Sequence, residues 1–320
     1  MKTKLKTFII MIILLVIISF IYYYPKETIN TVLSAINIWF YNVLPTLFPF
    51  FILSDLFINY GIVDLISELF KKVMALFNLS GNCSFVLLGS FISGIPSGAK
   101  YTKQLLDNGD ITVDEANHLI TFTHFSNPLF IIGTVGSVLL DNVKLGYIIL
   151  ISHILGNIII GLLFRKRKYI EKESISFKKA FLAMHKKRIS NKDNFITILA
   201  NSIYNTIDIL FLLLGIIIIF LLLSSFISKF ISNDYILLLL KGIMEMTQGV
   251  KYVSNSDLSL LLKAIFITFF ISFGGLSVHL QISSIINESK IKYKNFLKAR
   301  IIHSFISSIL VYIFYILFNF

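Results

Sequence analysis

Long apolar runs separated by short polar ones set the pattern of this 320-residue chain. They fall at about 8–21, 29–58, 83–98, 118–140, 145–164, 197–227, 235–250, 258–286 and 300–319. A helix needs about 20 apolar residues to cross the hydrocarbon core of a bilayer. A helix also satisfies its backbone groups within one segment, as lipid demands. The pattern predicts an all-α polytopic membrane protein.

Four runs are interrupted where an ordinary span would continue. In "SFISGIPSGAK" (90–100), Gly94, Pro96 and Gly98 break an apolar helix within five residues. "THFSNPLF" interrupts 118–140, and "SFGGLSVHLQ" interrupts 258–286. The run at 235–250 carries an acid, Glu245, within "LLLLKGIMEMTQG". Non-helical backbone at membrane depth is tolerated where protein buries it or where it lines a cavity.

Charge supplies an orientation. In a chain that is 56% hydrophobic and 14% charged, the net charge of +12 reads as topology rather than as a nucleic-acid footprint. Between Arg165 and Lys192 stand eleven Lys or Arg against two Glu, which places the 165–196 loop in the cytoplasm. Residues 100–117 and 59–82 then lie on the same side, the latter as an interfacial helix with Lys71 and Lys72 on its polar face. Segment 83–98 starts and ends on one side, so it is expected to be a re-entrant hairpin. Lys290, Lys292, Lys294, Lys298 and Arg300 mark the cytoplasmic end of 258–286. The basic start and the closing Tyr22–Tyr24 predict an uncleaved helix over 1–28.

The two halves repeat. "FYNVLPTLF" (40–48) resembles "IYNTIDILF" (203–211), and "LLGSFISGIPSGAK" (87–100) resembles "LLLKGIMEMTQGVK" (238–251). With the loop inside, the first unit, 29–164, and the second, 197–320, have opposite topology. Inverted repeats with interrupted segments at corresponding places point to the site of a secondary transporter.

Four elements are expected to meet near the midplane: 93–100, 123–128, 245–249 and 273–281. Broken helices expose N–H groups suited to anions, or carbonyls suited to a cation. From the first element come Ser93, Gly94, Ser97, Gly98 and Lys100; from the second, Ser126 and Asn127, beside Pro128 and after His124. Glu245, Thr247 and Gln248 come from the third, and Gly274, Gly275, Ser277, His279 and Gln281 from the fourth. Glu245 is the most pointed of these, because a carboxylate in an apolar run costs a few kcal/mol unless paired or wet. Its roles are a coupling or substrate-orienting acid, or a structural partner of Lys241. Lys100 and Lys251 either snorkel to the interface or help an anion enter. Asp55 reads as a membrane-edge acid and Asp208 as a deeper one. "DNGDITVDEA" (107–116) is a turn in which Asp110 or Thr112 caps a surface helix.

Enzyme chemistry is not expected: the sequence holds no phosphate-cradling loop, no HExxH helix and no GxSxG elbow. One cysteine, Cys83, excludes an internal disulfide and offers no metal cluster. No cofactor or metal is predicted. Small residues at Gly133, Gly136, Gly156 and Gly161 suit close helix packing, within one chain or in a homo-oligomer.

The motifs "SGIPSGAK", "FSNPLFIIGTVGS", "EMTQG" and "FGGLSVHLQ", followed by "YKNFLKARIIH" (293–303), resemble those of the sporulation integral membrane proteins of endospore-forming Firmicutes. These belong to the nucleoside-recognition or "gate" domain family, distantly related to concentrative nucleoside transporters. The resemblance covers about 30–320. It implies transport of dipicolinate, a small flat dianion, from mother cell to forespore across the outer forespore membrane, with solute held between two hairpins and two broken helices. Half-helix N-termini with Lys100 and Lys251 would suit its carboxylates, and Glu245 a coupling proton or cation. The alternatives are a nucleoside carrier, which needs stacking aromatics, and a non-transporting scaffold of spore-envelope assembly, which needs docking domains.

Overall fold

The computed structural model describes residues 2–165, 176–191 and 193–318, and these are helical, with no strand among them. Residues 166–175 and Lys192, within the basic run, lie outside the described residues. Among the described residues, five stretches are long and apolar enough to span a bilayer: Pro25–Asn59, Val143–Leu163, Phe195–Ser228, Leu260–Ile285 and Tyr293–Leu317. Ile10–Tyr23, Cys83–Ser93 and Phe130–Leu139 are apolar but shorter. Large apolar side chains such as Ile18, Phe211 and Phe305 stand exposed on the outside, where lipid would meet them.

The first half opens with α1 (Lys2–Tyr23), α2 (Pro25–Ile38) and α3 (Leu44–Asn59). A π-helical turn, Trp39–Val43, joins α2 to α3, with the Leu44 N–H reaching back to the Trp39 carbonyl. Pro45 stands at the start of α3 and donates no N–H, so the ladder widens there instead of ending. The amphipathic α4 (Ile62–Ala75) follows, within the 59–82 stretch expected to hold an interfacial helix, with Lys71 paired to Glu68 at 2.6 Å.

Next comes a pair of short helices, α5 (Cys83–Ser93) and α6 (Ser97–Asp107), joined through Gly94 and a cis Ile95–Pro96 bond. They fold against each other: Gly89 faces the Tyr101 ring, whose hydroxyl lies 3.0 Å from that of Ser93. The helix α7 (Val113–Phe122) starts earlier than the apolar run because Thr112 caps it, with Glu115 completing the capping box. It ends ahead of Pro128, and a π-helix, Phe130–Leu139, continues after the break. Then α8 (Val143–Leu163) closes the half, capped by Asn142.

The second half has α9 (Phe177–Ser190), packed on α4, and the long α10 (Phe195–Ser228). A second short pair, α11 (Asp234–Met244) and α12 (Met246–Ser254), breaks only at Glu245. The helices α13 (Leu260–Phe273) and α14 (Gly275–Ile285) break at Gly274, at a φ of +91° that L side chains rarely adopt. The last helix, α15 (Tyr293–Leu317), begins seven residues before the apolar run. Arg300 therefore lies two turns inside it and is fully buried. The expectation that Arg300 marks a membrane edge is corrected on this point.

Two apolar cores flank the breaks. One gathers Phe51, Tyr101, Leu119, Phe122 and Phe296 around α5 and α6; the other gathers Ile131, Ile149, Phe270 and Val311 around α11 and α12. Gly136 packs on Gly146, Gly156 on His303 and Ser307, and Gly161 on Phe77 and Phe122, so these three glycines serve contacts within the chain.

Candidate functional site

The four helix breaks touch one another. A Cβ on Gly98 would fall 2.0 Å from the Thr123 carbonyl, and one on Gly94 would meet Asn127 at 3.1 Å. Gly274 lies against His124 Nε2, and Gly275 against the Glu245–Met246 backbone. These approaches are too close for side chains, which explains why small residues collect at the breaks.

A cavity of about 190 Å³ opens on this junction. Its wall includes Ser93, Ser126, Asn127 and Thr247 from three of the breaks, with Tyr41 and Phe130 presenting aromatic rings beside them. Tyr41 and Phe130 reach it from the two π-helical segments. Asn127 accepts from the Leu129 N–H at 2.8 Å and holds the chain that restarts after Pro128.

Behind the junction, α8 and α15 clamp the open helix ends. Arg300 donates from Nη2 to the Thr121 carbonyl at 2.5 Å and to Asn157 Oδ1 at 3.0 Å, and from Nη1 to His303 Nδ1 at 2.9 Å. Asn157 donates in turn to the His124 carbonyl at 3.0 Å. The His153 carbonyl, 2.9 Å from His303 Nε2, can only accept, so that nitrogen carries the His303 proton. His153 Nε2 accepts from the Ser126 N–H at 3.0 Å, which leaves Nδ1–H to donate to Ser272 Oγ at 3.0 Å. One chain of polar groups thus ties the break after α7 to the end of α13. No carboxylate pairs with Arg300 among the described residues, so the junction rests against a buried cation.

Glu245 is buried and caps α12, accepting from the Gln248 N–H at 2.8 Å and from the Thr247 hydroxyl. The positive end of the helix dipole accommodates its charge. Lys241 lies 4.5 Å over the Tyr252 ring instead of pairing with this carboxylate. The Gln248 side chain accepts from Ser224 on α10 at 3.0 Å.

A second cavity, about 510 Å³, lies further along α3 and α6. Asp55, Lys100, Asn205 and Asp208 are on its wall. Lys100 forms a buried ion pair with Asp55 at 2.9 Å and therefore does not snorkel to an interface. Asp55 is buried rather than wet at a membrane edge, and Asp208 is the exposed one.

The structure brings Ser93, Ser126, Asn127 and Thr247 together on the first cavity, and Gly94, Ser97, Gly98, Glu245, Gly274 and Gly275 into the junction itself. Ser97 donates to the Gly94 carbonyl across the hairpin tip. Ser277, His279 and Gln281 are buried on α14 and line neither cavity. His279 is held by the Tyr293 hydroxyl at 2.8 Å and the Phe273 carbonyl at 3.2 Å. Lys251 is exposed. His124 is buried, with its Nε2 lacking a hydrogen-bond partner among the described residues.

Sequence reasoning passed over His303, His153 and Asn157, and took Arg300 only for a basic flank. Their signal is spacing: Arg and His three apart on α15, His and Asn four apart on α8, each pair on one face of an apolar helix.

Residues 40–140 match the Gate family, described as nucleoside recognition. The chain is 32% identical over 337 aligned residues to the sporulation integral membrane protein YlbJ of Bacillus subtilis (strain 168), covering 97% of this chain and 83% of that protein. No solved structure matches it. At that identity over nearly the whole length, this chain belongs to the family of the sporulation integral membrane protein YlbJ and carries its Gate domain in the first half.

Proposed function

We propose that the protein is a transporter for a small organic anion, moving dipicolinate from mother cell to forespore across the outer forespore membrane. In this reading α5–α6 and α11–α12 are re-entrant hairpins from opposite faces, and 29–164 and 197–320 are inverted repeats. The 165–196 loop, with α4 and α9, faces the cytoplasm.

One observation carries the reading: the first cavity opens on three of the four touching helix breaks, and their junction rests against a buried guanidinium with no carboxylate partner among the described residues. A buried positive charge in an apolar surrounding favours an anion nearby. The Tyr41 and Phe130 rings suit a flat heteroaromatic solute. Glu245 is assigned as the group that takes a coupling proton or cation.

Those same rings, with the nucleoside-recognition description of residues 40–140, favour a nucleoside as the second reading. Spore dipicolinate in a sporulating host that lacks its own family member separates the two. The expected result is that this gene restores spore dipicolinate, with total culture dipicolinate unchanged. Spores that stay empty while the culture makes dipicolinate and the protein inserts would overturn the solute. Nucleoside uptake by the same cells would then support the second reading.

A further inference from the structure

The two cavities share the helix α3 as a wall. On α3, Leu47 lines the first cavity, Asp55 lines the second, and Phe51 stands between them. These residues are four apart, on one face, and span about 12 Å along the helix axis. Phe51 is fully buried. On α6, Lys100 lies one turn from the hairpin tip and packs against Phe51. Its ammonium sits 4.3 Å from the Phe51 ring centroid, 3.4 Å from the Phe51 carbonyl and 2.9 Å from Asp55 Oδ1.

We propose that Lys100 is the docking point for a carboxylate of the solute, and that Asp55 holds this position while the solute is absent. This inference rests on the transport reading and names the group that admits the anion from the second cavity. A carboxylate arriving from that cavity takes the place of Asp55 on Lys100. The exchange keeps the buried ammonium paired, whereas simply breaking the pair would leave a buried charge uncompensated. Asp55 then joins the hydrated cavity. The Lys100 side chain, released from the Asp55 carboxylate, then also leaves the Phe51 carbonyl and ring, and a way opens past Phe51 toward Thr46 and Asn127.

The other charged groups of the second cavity fit this reading. Lys103 and Asp107 pair with each other at 2.5 Å, and neither competes for Lys100. Asp208, exposed on the opposite wall, opposes an incoming anion and sets how readily one enters.

Thiol accessibility tests this without relying on transport. In oriented vesicles carrying the Cys83→Ser protein, a membrane-impermeant thiol reagent is added from the α9 face. The targets are Asn205→Cys on the second cavity and Thr46→Cys on the first. The expected result is that Asn205→Cys labels and Thr46→Cys does not. Adding dipicolinate, or replacing Asp55→Asn, then speeds labelling at Thr46→Cys several-fold. The double variant Asp55→Leu/Lys100→Met removes both charges while keeping side-chain volume. It is expected to stay closed and to ignore dipicolinate.

Labelling at Thr46→Cys that is unchanged by both dipicolinate and Asp55→Asn, with Asn205→Cys still reactive, overturns the inference. Dipicolinate flux is read in the same vesicles from the luminescence of entrapped terbium. Flux with an unresponsive Thr46→Cys sinks the gate and leaves the transport reading standing. Opening by Asp55→Asn alone, with neither flux nor a response to dipicolinate, overturns docking of this solute and the solute assignment together. If docking is correct, Asp208→Asn lowers the dipicolinate concentration needed for half-maximal flux, and an unchanged value contradicts it.

Discussion

Arg300 closes the carboxyl end of α7: its Nη2 lies 2.5 Å from the Thr121 carbonyl, 179 residues away in the chain. The half-helix would otherwise leave its last carbonyls buried without donors, because the backbone turns away before Pro128. The same guanidinium reaches Asn157, whose amide holds the His124 carbonyl, so one side chain fixes both edges of the break.

Arg300→Met should therefore destabilise the protein by about 1–3 kcal/mol for each acceptor left without a donor. Arg300→Lys should recover only part of this, since an ammonium lacks the planar fork that serves three partners. Loss of helical circular dichroism on heating detergent-solubilised protein reads the difference. A methionine variant that melts with the wild type would show that the clamp contributes little to the fold.

The helices were legible where one period dominates. The runs at 145–164 and 197–227 reappear as α8 and α10 within two residues at each end, since an apolar stretch of that length has one way to satisfy its backbone in lipid. The breaks were legible for the opposite reason: Gly94, Pro96, Asn127–Pro128, Glu245 and Gly274 are local signals of a helix that stops. The clamp was hidden because the partners Arg300, Asn157 and Thr121 lie far apart in sequence. Arg300 also follows a basic flank that looks like an interface. Lys100 and Asp55 escaped for a similar reason, being 45 residues apart with no pattern that pairs them.

Two glycines separate packing from propensity. Gly98→Ala should pry the hairpin tip from the break after α7, because the added Cβ would fall 2.0 Å from a backbone oxygen that cannot swing aside. Gly215→Ala, on α10 with no atom within 4 Å of the new methyl, should instead stabilise by about 0.5–1 kcal/mol through backbone entropy. Melting temperatures moving in opposite directions would confirm the contrast. Equal shifts would mean that the tip and the break are not in contact.

Glu115 gives a pH signature on the loop side. Burial raises its carboxyl pKa, but bonds from Ser80 and Thr112 outweigh this and hold it below the ordinary 4.5. A depressed folded-state pKa contributes stability above the unfolded value, lost as pH falls through the folded one. Acid titration of the wild type should show stability declining below about pH 4.5. Glu115→Gln should be less stable at neutral pH and show a shallower decline. Parallel acid curves for the two proteins would remove Glu115 from the account.

Glu245 distinguishes a cap from a carrier of charge. Its carboxylate already serves the first turn of α12 through the Gln248 N–H, so Glu245→Ala should lose about 1 kcal/mol of stability. Glu245→Gln keeps an oxygen that accepts the same N–H, and its melting temperature should stay near that of the wild type. The glutamine cannot take up a proton or balance a cation, however. Under the coupling role proposed above, its spores should hold far less dipicolinate than wild-type spores at equal protein level. A glutamine variant that melts normally and fills spores normally would assign this buried acid to capping alone, and the coupling group would have to be sought elsewhere, with Asp208 on the second cavity the next to test.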